Sequence, residues 1–333
     1  MGIILLSSNL LAQISGGGYE ESYLLRDIGA RAIGMGGAYT AIVNEPSALF
    51  FNPAGLTSLS NRAMITTSFS LLQLGRTQDF AAYGQSFGKF GIGASFNNYN
   101  TASIIGTDIR GKYLGNFTNV QYALNVGAAY AMEFASIGIG LKYLSNSLNY
   151  NQTSANGFAV DLGMKFDVAG LFSFGLSMQN IASTISWNNN SKDNSNIPFS
   201  IRAGIGMEFP FNEKTISSRT TSLAVKDTLT EPSSRYFLVS FDAVYHQYQI
   251  QPNFILGLEY VPFEIIAIRG GITVLGDNSG NLAFFPMNSW GTGISLRPAF
   301  DGLPFGFHID YSIGSDYLSN SKMVHHFSIF LQF

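Results

Sequence analysis

The sequence contains four histidines, whose imidazole groups can bind metals and exchange protons near neutral pH. His325 and His326 are neighbours in an alternating stretch, so on a strand they point to opposite faces and cannot bind one metal ion together. His246 and His308 have no second ligand at a suitable spacing. The chain also lacks cysteine, which excludes disulfides, thiolate catalysis and cysteine-based zinc sites. We therefore expect no metal and no other cofactor.

Catalytic and phosphate-binding patterns do not stand out either. No serine, histidine and aspartate follow one another in an order that indicates a catalytic triad, and no carboxylate pair stands out as general acid and base. Gly34, Gly36 and Gly37 lie close together, but not at the G-x-G-x-x-G spacing, and no βαβ pattern surrounds them. The sequence therefore predicts a protein that is not an enzyme.

Charged residues make up only 12% of the chain, against about 25% in an average soluble protein. The net charge is −3 and the basic residues are scattered, which argues against a nucleic-acid partner. Charges of both signs lie singly on the polar faces of alternating segments: Glu133, Lys142, Asp161, Lys165, Arg202, Glu208, Asp242, Glu259, Arg269 and Asp310. Two roles stay open for them, structural contacts and selection of a solute. Our candidates for lumen-facing residues are Lys165, Asp161, Arg202, Glu208, Asp242 and Asp310.

Alternation of apolar and polar residues runs from about residue 62 to the end of the chain. Residues 160–168 read Val-Asp-Leu-Gly-Met-Lys-Phe-Asp-Val, which gives a strand one apolar and one polar face. Such segments are about 9–14 residues long, and a tilted strand needs about 9–11 residues to cross a bilayer. No run of about 18 apolar residues predicts a membrane-spanning helix. The pattern favours strands with lipid on one side and a lumen on the other.

Fourteen such strands are predicted, an even number as expected of a bacterial barrel whose ends meet. Their predicted ranges are 62–74, 78–88, 90–99, 119–133, 136–148, 157–168, 171–184, 198–210, 236–248, 253–262, 265–275, 288–297, 304–314 and 323–333. The predicted fold is therefore all-β, a closed antiparallel transmembrane β-barrel of about 14 strands over residues 62–333. We expect it in the outer membrane of a Gram-negative bacterium, surrounded by outer-membrane lipid.

The connections between these strands differ in length. Those within residues 87–90, 134–136 and 168–171 are tight, and we expect them on the periplasmic side. Longer polar stretches at 100–118, 185–197 and 212–235 are typical of exposed loops and are predicted to face outward.

The two ends of the sequence carry separate signals. Residues 327–333 alternate and end on Phe333, which resembles the terminal strand by which outer-membrane barrels are recognised for assembly. Phe333 is therefore our candidate assembly signal. Residues 1–12 form a short apolar stretch with a candidate cleavage site after Ala12. We interpret them as the remnant of a signal peptide, although the first basic residue is Arg26.

Residues 13–61 do not alternate and are rich in small residues, which allow backbone to approach backbone inside a narrow lumen. We predict that they form a plug within the barrel. Residues 29–38, Gly-Ala-Arg-Ala-Ile-Gly-Met-Gly-Gly-Ala, and residues 47–56, Ser-Ala-Leu-Phe-Phe-Asn-Pro-Ala-Gly-Leu, resemble the start of PorV/PorQ-family outer-membrane proteins. That group is similar in turn to the FadL-type long-chain fatty-acid channels, and residues 52–54 match the Asn-Pro-Ala motif of the FadL plug. Our candidate plug motif comprises Asn52, Pro53, Ala54, Gly34, Gly36 and Gly37.

The resemblance implies two functions without bond chemistry. PorV-like members are associated with type IX secretion, where the barrel holds the C-terminal signal of exported proteins. FadL-like members move hydrophobic molecules through a plugged barrel with a lateral opening. We expect a PorV/PorQ-type role first, with secretion components and exported proteins as partners. A passive channel for hydrophobic solutes such as long-chain fatty acids is the alternative, and a purely structural barrel would share the same features. A channel needs an apolar pocket beside the plug, whereas a secretion partner needs an exposed docking loop.

Overall fold

The computed structural model contains fourteen long antiparallel strands in one closed sheet. It describes residues 21–149, 153–168, 170–188, 194–211, 214–217, 228–231, 235–247, 249, 251–274, 289–298, 305–316 and 322–333. The strands are β1 (Met64–Leu71), β2 (Thr77–Phe87), β3 (Phe90–Asn100), β4 (Asn119–Ala131), β5 (Ser136–Leu148), β6 (Thr153–Val168), β7 (Phe172–Gln179), β8 (Ser200–Pro210), β9 (Tyr236–His246), β10 (Asn253–Phe263), β11 (Ile266–Val274), β12 (Ser289–Leu296), β13 (Gly306–Asp316) and β14 (Lys322–Gln332). The sheet closes where β1 pairs with β14, from Met64↔Gln332 to Leu71↔His325. The predicted 14-stranded barrel is confirmed.

The shorter elements are not part of this ring of strands. Strand Ile104–Thr107 pairs with Tyr113–Phe117, Thr184–Trp187 pairs with β6 and with Asn194–Ser195, and Lys214–Ser217 pairs with Thr228–Glu231. The helices are α1 (Ala30–Gly34), α2 (Ala48–Phe51) and the 3₁₀ turns Ser22–Leu25, Pro53–Ser58 and Gln73–Gly75. Among the described residues, no helix combines the length and the apolar character that crossing a membrane would require.

The wall of the barrel is apolar outside and polar inside. On β7, Phe174, Leu176 and Met178 point outward and are partly exposed, whereas Ser177 and Gln179 point inward and are buried. The same division continues around the ring, because side chains on a strand alternate between its two faces. This polarity is the reverse of that of a soluble protein, and it suits an outer face in contact with hydrocarbon.

Counting strands from β1 shows which connections share an end of the barrel. The tight connections 88–89, 132–135 and 169–171 lie at one end, here named the turn end, together with Phe333. Connections 101–118 and 188–199 leave from the opposite end, the loop end. The connection 211–235 instead leaves from the turn end, because Pro210 pairs with Tyr236 there. The prediction that 212–235 shares one side with 100–118 and 185–197 was wrong, because polar composition indicates a loop but not the end of the barrel at which it lies.

The reversed polarity gives a prediction for the outer face. Leu141 points outward near the middle of β5 and is 53% exposed. We expect Leu141→Arg to lower the free energy of unfolding in lipid by about 2–4 kcal/mol, because a charge would stand in hydrocarbon. The measurement is a urea titration of the protein refolded in vesicles. Ile109→Arg, at a fully exposed position of the loop end, is the matched control and should leave stability unchanged. Equal effects of the two substitutions would contradict the assignment of the outer face.

The barrel interior as the candidate functional site

Residues 21–61, here named the inner segment, lie inside the ring of strands. Helix α1 packs against β11, β12, β13 and β14, while the 3₁₀ turn Pro53–Ser58 packs against β2 to β6. The segment therefore contacts opposite sides of one closed wall, which only an interior position allows. Its side chains make up most of the main buried apolar cluster, in which Tyr39, Leu49 and Phe51 are fully buried. Residues 13–20 of the predicted plug and the predicted signal remnant 1–12 lie outside the described residues.

Glycines of the wall let the inner segment approach closely. A Cβ atom added to Gly271 would lie 2.0 Å from the carbonyl carbon of Met35, and one added to Gly291 would lie 1.9 Å from the carbonyl oxygen of Ile33. Both distances are far below a normal contact, so a larger residue would displace backbone. The pairs formed in this way are Gly138 with Pro53, Gly163 with Asn52, Gly175 with Thr40, Gly271 with Met35 and Gly291 with Ile33.

The Asn-Pro-Ala motif connects the inner segment to β6. Asn52 is fully buried; its side-chain oxygen accepts a hydrogen bond from the amide of Ala54 at 3.1 Å. Its side-chain nitrogen donates to the carbonyl oxygens of Thr40 at 3.1 Å and Met164 at 3.0 Å. Pro53 then begins the 3₁₀ turn, where its missing amide hydrogen leaves no unsatisfied donor. The motif thus joins two parts of the inner segment to each other and to the wall.

The three candidate glycines lie where α1 ends against the wall. Gly36 and Gly37 have φ angles of 68° and 94°, in the left-handed region that favours glycine. The carbonyl oxygen of Gly36 accepts a hydrogen bond from the Thr273 hydroxyl at 2.8 Å. That of Gly37 accepts one from the Arg202 guanidinium at 2.8 Å. Gly34 packs against the backbone of β12. The three glycines therefore serve to turn the backbone and to let it pack closely against the wall.

Glu259 is the centre of the larger buried ion-pair network. Arg31 of the inner segment binds both of its carboxylate oxygens, at 3.0 and 2.9 Å. The Tyr236 hydroxyl donates to Glu259 at 2.6 Å, and Arg269 pairs with it from β11. Arg269 also donates to Asp310 on β13 at 2.8 Å. The network therefore links four strands, β9, β10, β11 and β13, to the inner segment through fully or nearly buried side chains.

A second network surrounds Asp242 on β9. One of its oxygens accepts from the backbone amides of Tyr39 and Thr40, at 3.0 and 2.9 Å, and from the Thr40 hydroxyl at 2.6 Å. Arg202 on β8 binds Asp27 at 3.0 Å and stacks on the Phe51 ring at 5.1 Å. Burial raises the pKa of the Asp27 carboxyl above its ordinary value, and the neighbouring Arg202 guanidinium opposes that shift. Asp242 and Arg202 thus hold the middle of the inner segment.

The remaining candidate charges lie at separate places on the wall and in its turns. Lys165 donates to the Ser58 hydroxyl at 3.0 Å and so contacts the inner segment. Asp161 pairs with Lys142 at 2.7 Å and accepts a hydrogen bond from the backbone amide of Asn180 at 2.9 Å. Asn180 lies in an irregular stretch: six residues separate Met178 from Ile185, whereas four separate their partners Gly157 and Leu162 on β6. Glu208 points inward and is half-buried near the turn end. Glu133, expected on a polar strand face, lies instead exposed in the turn before β5.

The inner segment also supplies charged residues that sequence reasoning did not single out. Asp27 and Arg31 face Arg202 and Glu259, respectively. The sequence signal for them was that charged residues occur in a segment otherwise made of small and apolar residues.

The histidines do not come together in the structure. His325 is on the outer face against the Tyr311 hydroxyl, and His326 is inside against Ser70. Across the residues that the structure describes, no cluster of three or more His, Asp or Glu could hold a metal ion.

The overall structure is similar to those of outer-membrane channels. The CymD monoaromatic hydrocarbon channel matches with a TM-score of 0.59 at 14% identity, over 92% of this chain and 97% of that one. The chain has the fold of these channels. The Pseudomonas putida toluene transporter TodX matches at 0.56 and 12%, over 92% and 97%, and a Pseudomonas aeruginosa FadL homologue at 0.54 and 10%, over 91% and 97%. With this fold and its apolar outer face, the protein belongs in the outer membrane of a Gram-negative bacterium, as predicted.

Comparison of the sequence with protein-family models and with curated proteins gave no match. The PorV/PorQ resemblance therefore stays a prediction, as does the assembly role of Phe333. The structure places Phe333 directly after β14, with its amide donating to the Ala63 carbonyl at 2.9 Å and its carbonyl accepting from Arg62 at 2.9 Å.

The buried charges give a prediction for stability. We expect Glu259→Gln to lower the free energy of unfolding by about 3–5 kcal/mol, because Arg31 and Arg269 would stay buried without their common partner. Asp167→Asn is the control; its carboxylate pairs with Lys165 but is 53% exposed, so about 0–1 kcal/mol is expected. Urea unfolding in vesicles measures both. A loss no larger for Glu259→Gln than for the control would show that the network does not stabilise the fold.

Adjacent glycines on β11 give a prediction for the inner segment itself. We expect Gly271→Ala to displace the inner segment, because the added methyl group would overlap the backbone of Met35. Gly270→Ala should have no such effect, since its Cβ would meet nothing within 4 Å. The measurement is trypsin cleavage at Arg26 and Arg31, which are buried in the intact protein. Cleavage should rise only in Gly271→Ala. For both variants, faster migration of the unheated sample than of the boiled sample on a denaturing gel shows that the barrel is closed. Equal protection in both variants would contradict the packing described.

Proposed function

We propose that the protein is a passive outer-membrane channel for small hydrophobic solutes, and that the inner segment is its plug. The observation that carries the proposal is a closed barrel whose lumen holds an inner segment, on a fold shared along nearly the whole chain with proteins described as a monoaromatic hydrocarbon channel and a toluene transporter. Passage along a concentration gradient needs no bond chemistry, which agrees with the expectation that the protein is not an enzyme.

The contacts of the inner segment suit a plug that can shift. They are hydrogen bonds, ion pairs and close packing, and none is covalent. The α1 part is held by Ser328, Glu259 and Thr273 on three different strands. Above it, toward the loop end, lies an interior cavity whose floor includes Leu25, Ile33 and Gly36. A solute that enters from the loop end would therefore meet the inner segment first, and movement of this segment would admit it further.

A secretion role is the second candidate function. The feature that would suit it is the exposed apolar hairpin at the loop end, where Ile105 is 71% and Ile109 fully exposed. Such a surface could dock a protein partner. The type IX assignment itself rests on the sequence resemblance alone, and the structural comparisons favour a channel. We therefore rank the channel first, the reverse of the order expected from the sequence.

Uptake by whole cells tests the channel proposal, because lipopolysaccharide makes the outer membrane the barrier that apolar solutes must cross. In a Gram-negative host without a hydrocarbon channel of its own, we expect the protein to raise the initial rate of radiolabelled toluene uptake several-fold. Uptake of lactose serves as the control and should not change, since a channel blocked by its plug admits no hydrophilic solute. Toluene uptake equal to that of the empty vector, with the protein assembled in the membrane, would refute the proposal.

A further inference from the structure

The interior cavity at the loop end has a mixed lining. Its volume is about 90 Å³, enough for one compact solute. The apolar part of the lining is Leu25, Ile33, Leu72, Val244, Ile255 and Val324. Serines, a threonine, amide side chains and two histidines supply further polar groups, and Arg26, Asp27 and Arg202 supply charges. A pocket built for a pure hydrocarbon would not require this polar half.

His246 is the polar group that points to a ligand. It ends β9, is 8% exposed and lines the cavity. Its Nδ1 atom has no hydrogen-bond partner among the described residues. A buried polar atom without a partner is costly, and a bound molecule that supplies a hydrogen bond removes that cost. The other cavity histidine, His326, already pairs with Ser70 at 2.7 Å.

We infer that this cavity binds a small uncharged molecule with an apolar body and one hydroxyl group, which donates a hydrogen bond to Nδ1 of His246. The apolar body would lie against Val244 and Ile255, which pack together on the inner face of the wall. This inference deepens the proposed function, on which it rests, because it narrows the solute from any hydrocarbon to a singly hydroxylated one.

Alternative ligands fit the cavity less well. A hydrocarbon of the same size leaves Nδ1 of His246 without a partner. A carboxylate would bring a full charge into a buried site, where it needs an ionic partner. Two arginines line the cavity. Arg202 is already engaged by Asp27, Thr40 and the carbonyl of Gly37, and Arg26 also has interactions of its own. The cavity therefore selects for a neutral polar group.

Calorimetric titration of the full chain in nanodiscs tests the inference, with phenol, toluene and benzoate as probes. Phenol should bind saturably, and toluene and benzoate at least about tenfold more weakly. His246→Leu should weaken phenol binding by about five- to tenfold and leave toluene unchanged, since one neutral hydrogen bond is lost. His246→Gln, which keeps an acceptor, should retain most of the phenol affinity. His325→Leu, on the outer face, is the matched control and should bind as the wild type does.

A substitution in the apolar lining locates the bound phenol. Ile255 faces inward and lines the cavity, so Ile255→Ala removes part of the surface on which the apolar body would pack. This substitution should weaken phenol binding several-fold. Toluene or benzoate binding as tightly as phenol, or equal phenol binding by His246→Leu, would overturn the inference. Toluene uptake by cells that stayed high in that case would leave the channel proposal standing, whereas its absence would refute the channel independently of His246.

Discussion

The backbone of the wall cannot hydrogen-bond to lipid, and the remainder of the structure follows from that constraint. An unpaired amide or carbonyl in hydrocarbon costs several kcal/mol, so every strand needs a neighbour on both sides. Strand β1 therefore pairs with β14 along eight residues, and no edge of the ring remains free. Closure creates an interior that lipid does not enter, and the inward positions can then be polar. Outward positions are apolar for the same reason.

A closed interior imposes a second requirement, because buried charges need partners. The wall supplies some partners itself, as Arg269 does for Asp310 across neighbouring strands. Others come from the inner segment: Arg31 reaches Glu259, and the amides of Tyr39 and Thr40 reach Asp242. Without that segment, these carboxylates would lose bonds inside a low-dielectric space. The inner segment and the wall are thus interdependent, and the glycines that face the segment show that the wall is shaped to receive it.

The sequence predicts the wall well and the interior poorly, for physical reasons. Lipid on one side imposes a period of two, so alternation identifies every long strand, and the ranges err only by a few residues at the ends. Charge partners are harder to infer, because Arg31 and Glu259 are 228 residues apart and meet only once the segment is placed. The end of the barrel at which the connection 212–235 lies could have been predicted by counting strands. An even number of strands precedes it, so the chain has returned to the end at which β1 begins. Its polar composition misled instead. Asn180, with φ 56°, marks an irregularity that alternation does not reveal.

Ion conductance in planar bilayers tests most directly that the inner segment closes the barrel. Wild-type protein and a variant with Arg31→Ala and Asn52→Ala, which removes one ion-pair contact to β10 and one hydrogen bond to β6, would be recorded under the same voltage. The account predicts almost no conductance for the wild type and discrete open steps for the variant, with both barrels closed and correctly assembled. Large, steady conductance through the wild type, unchanged in the variant, would contradict it.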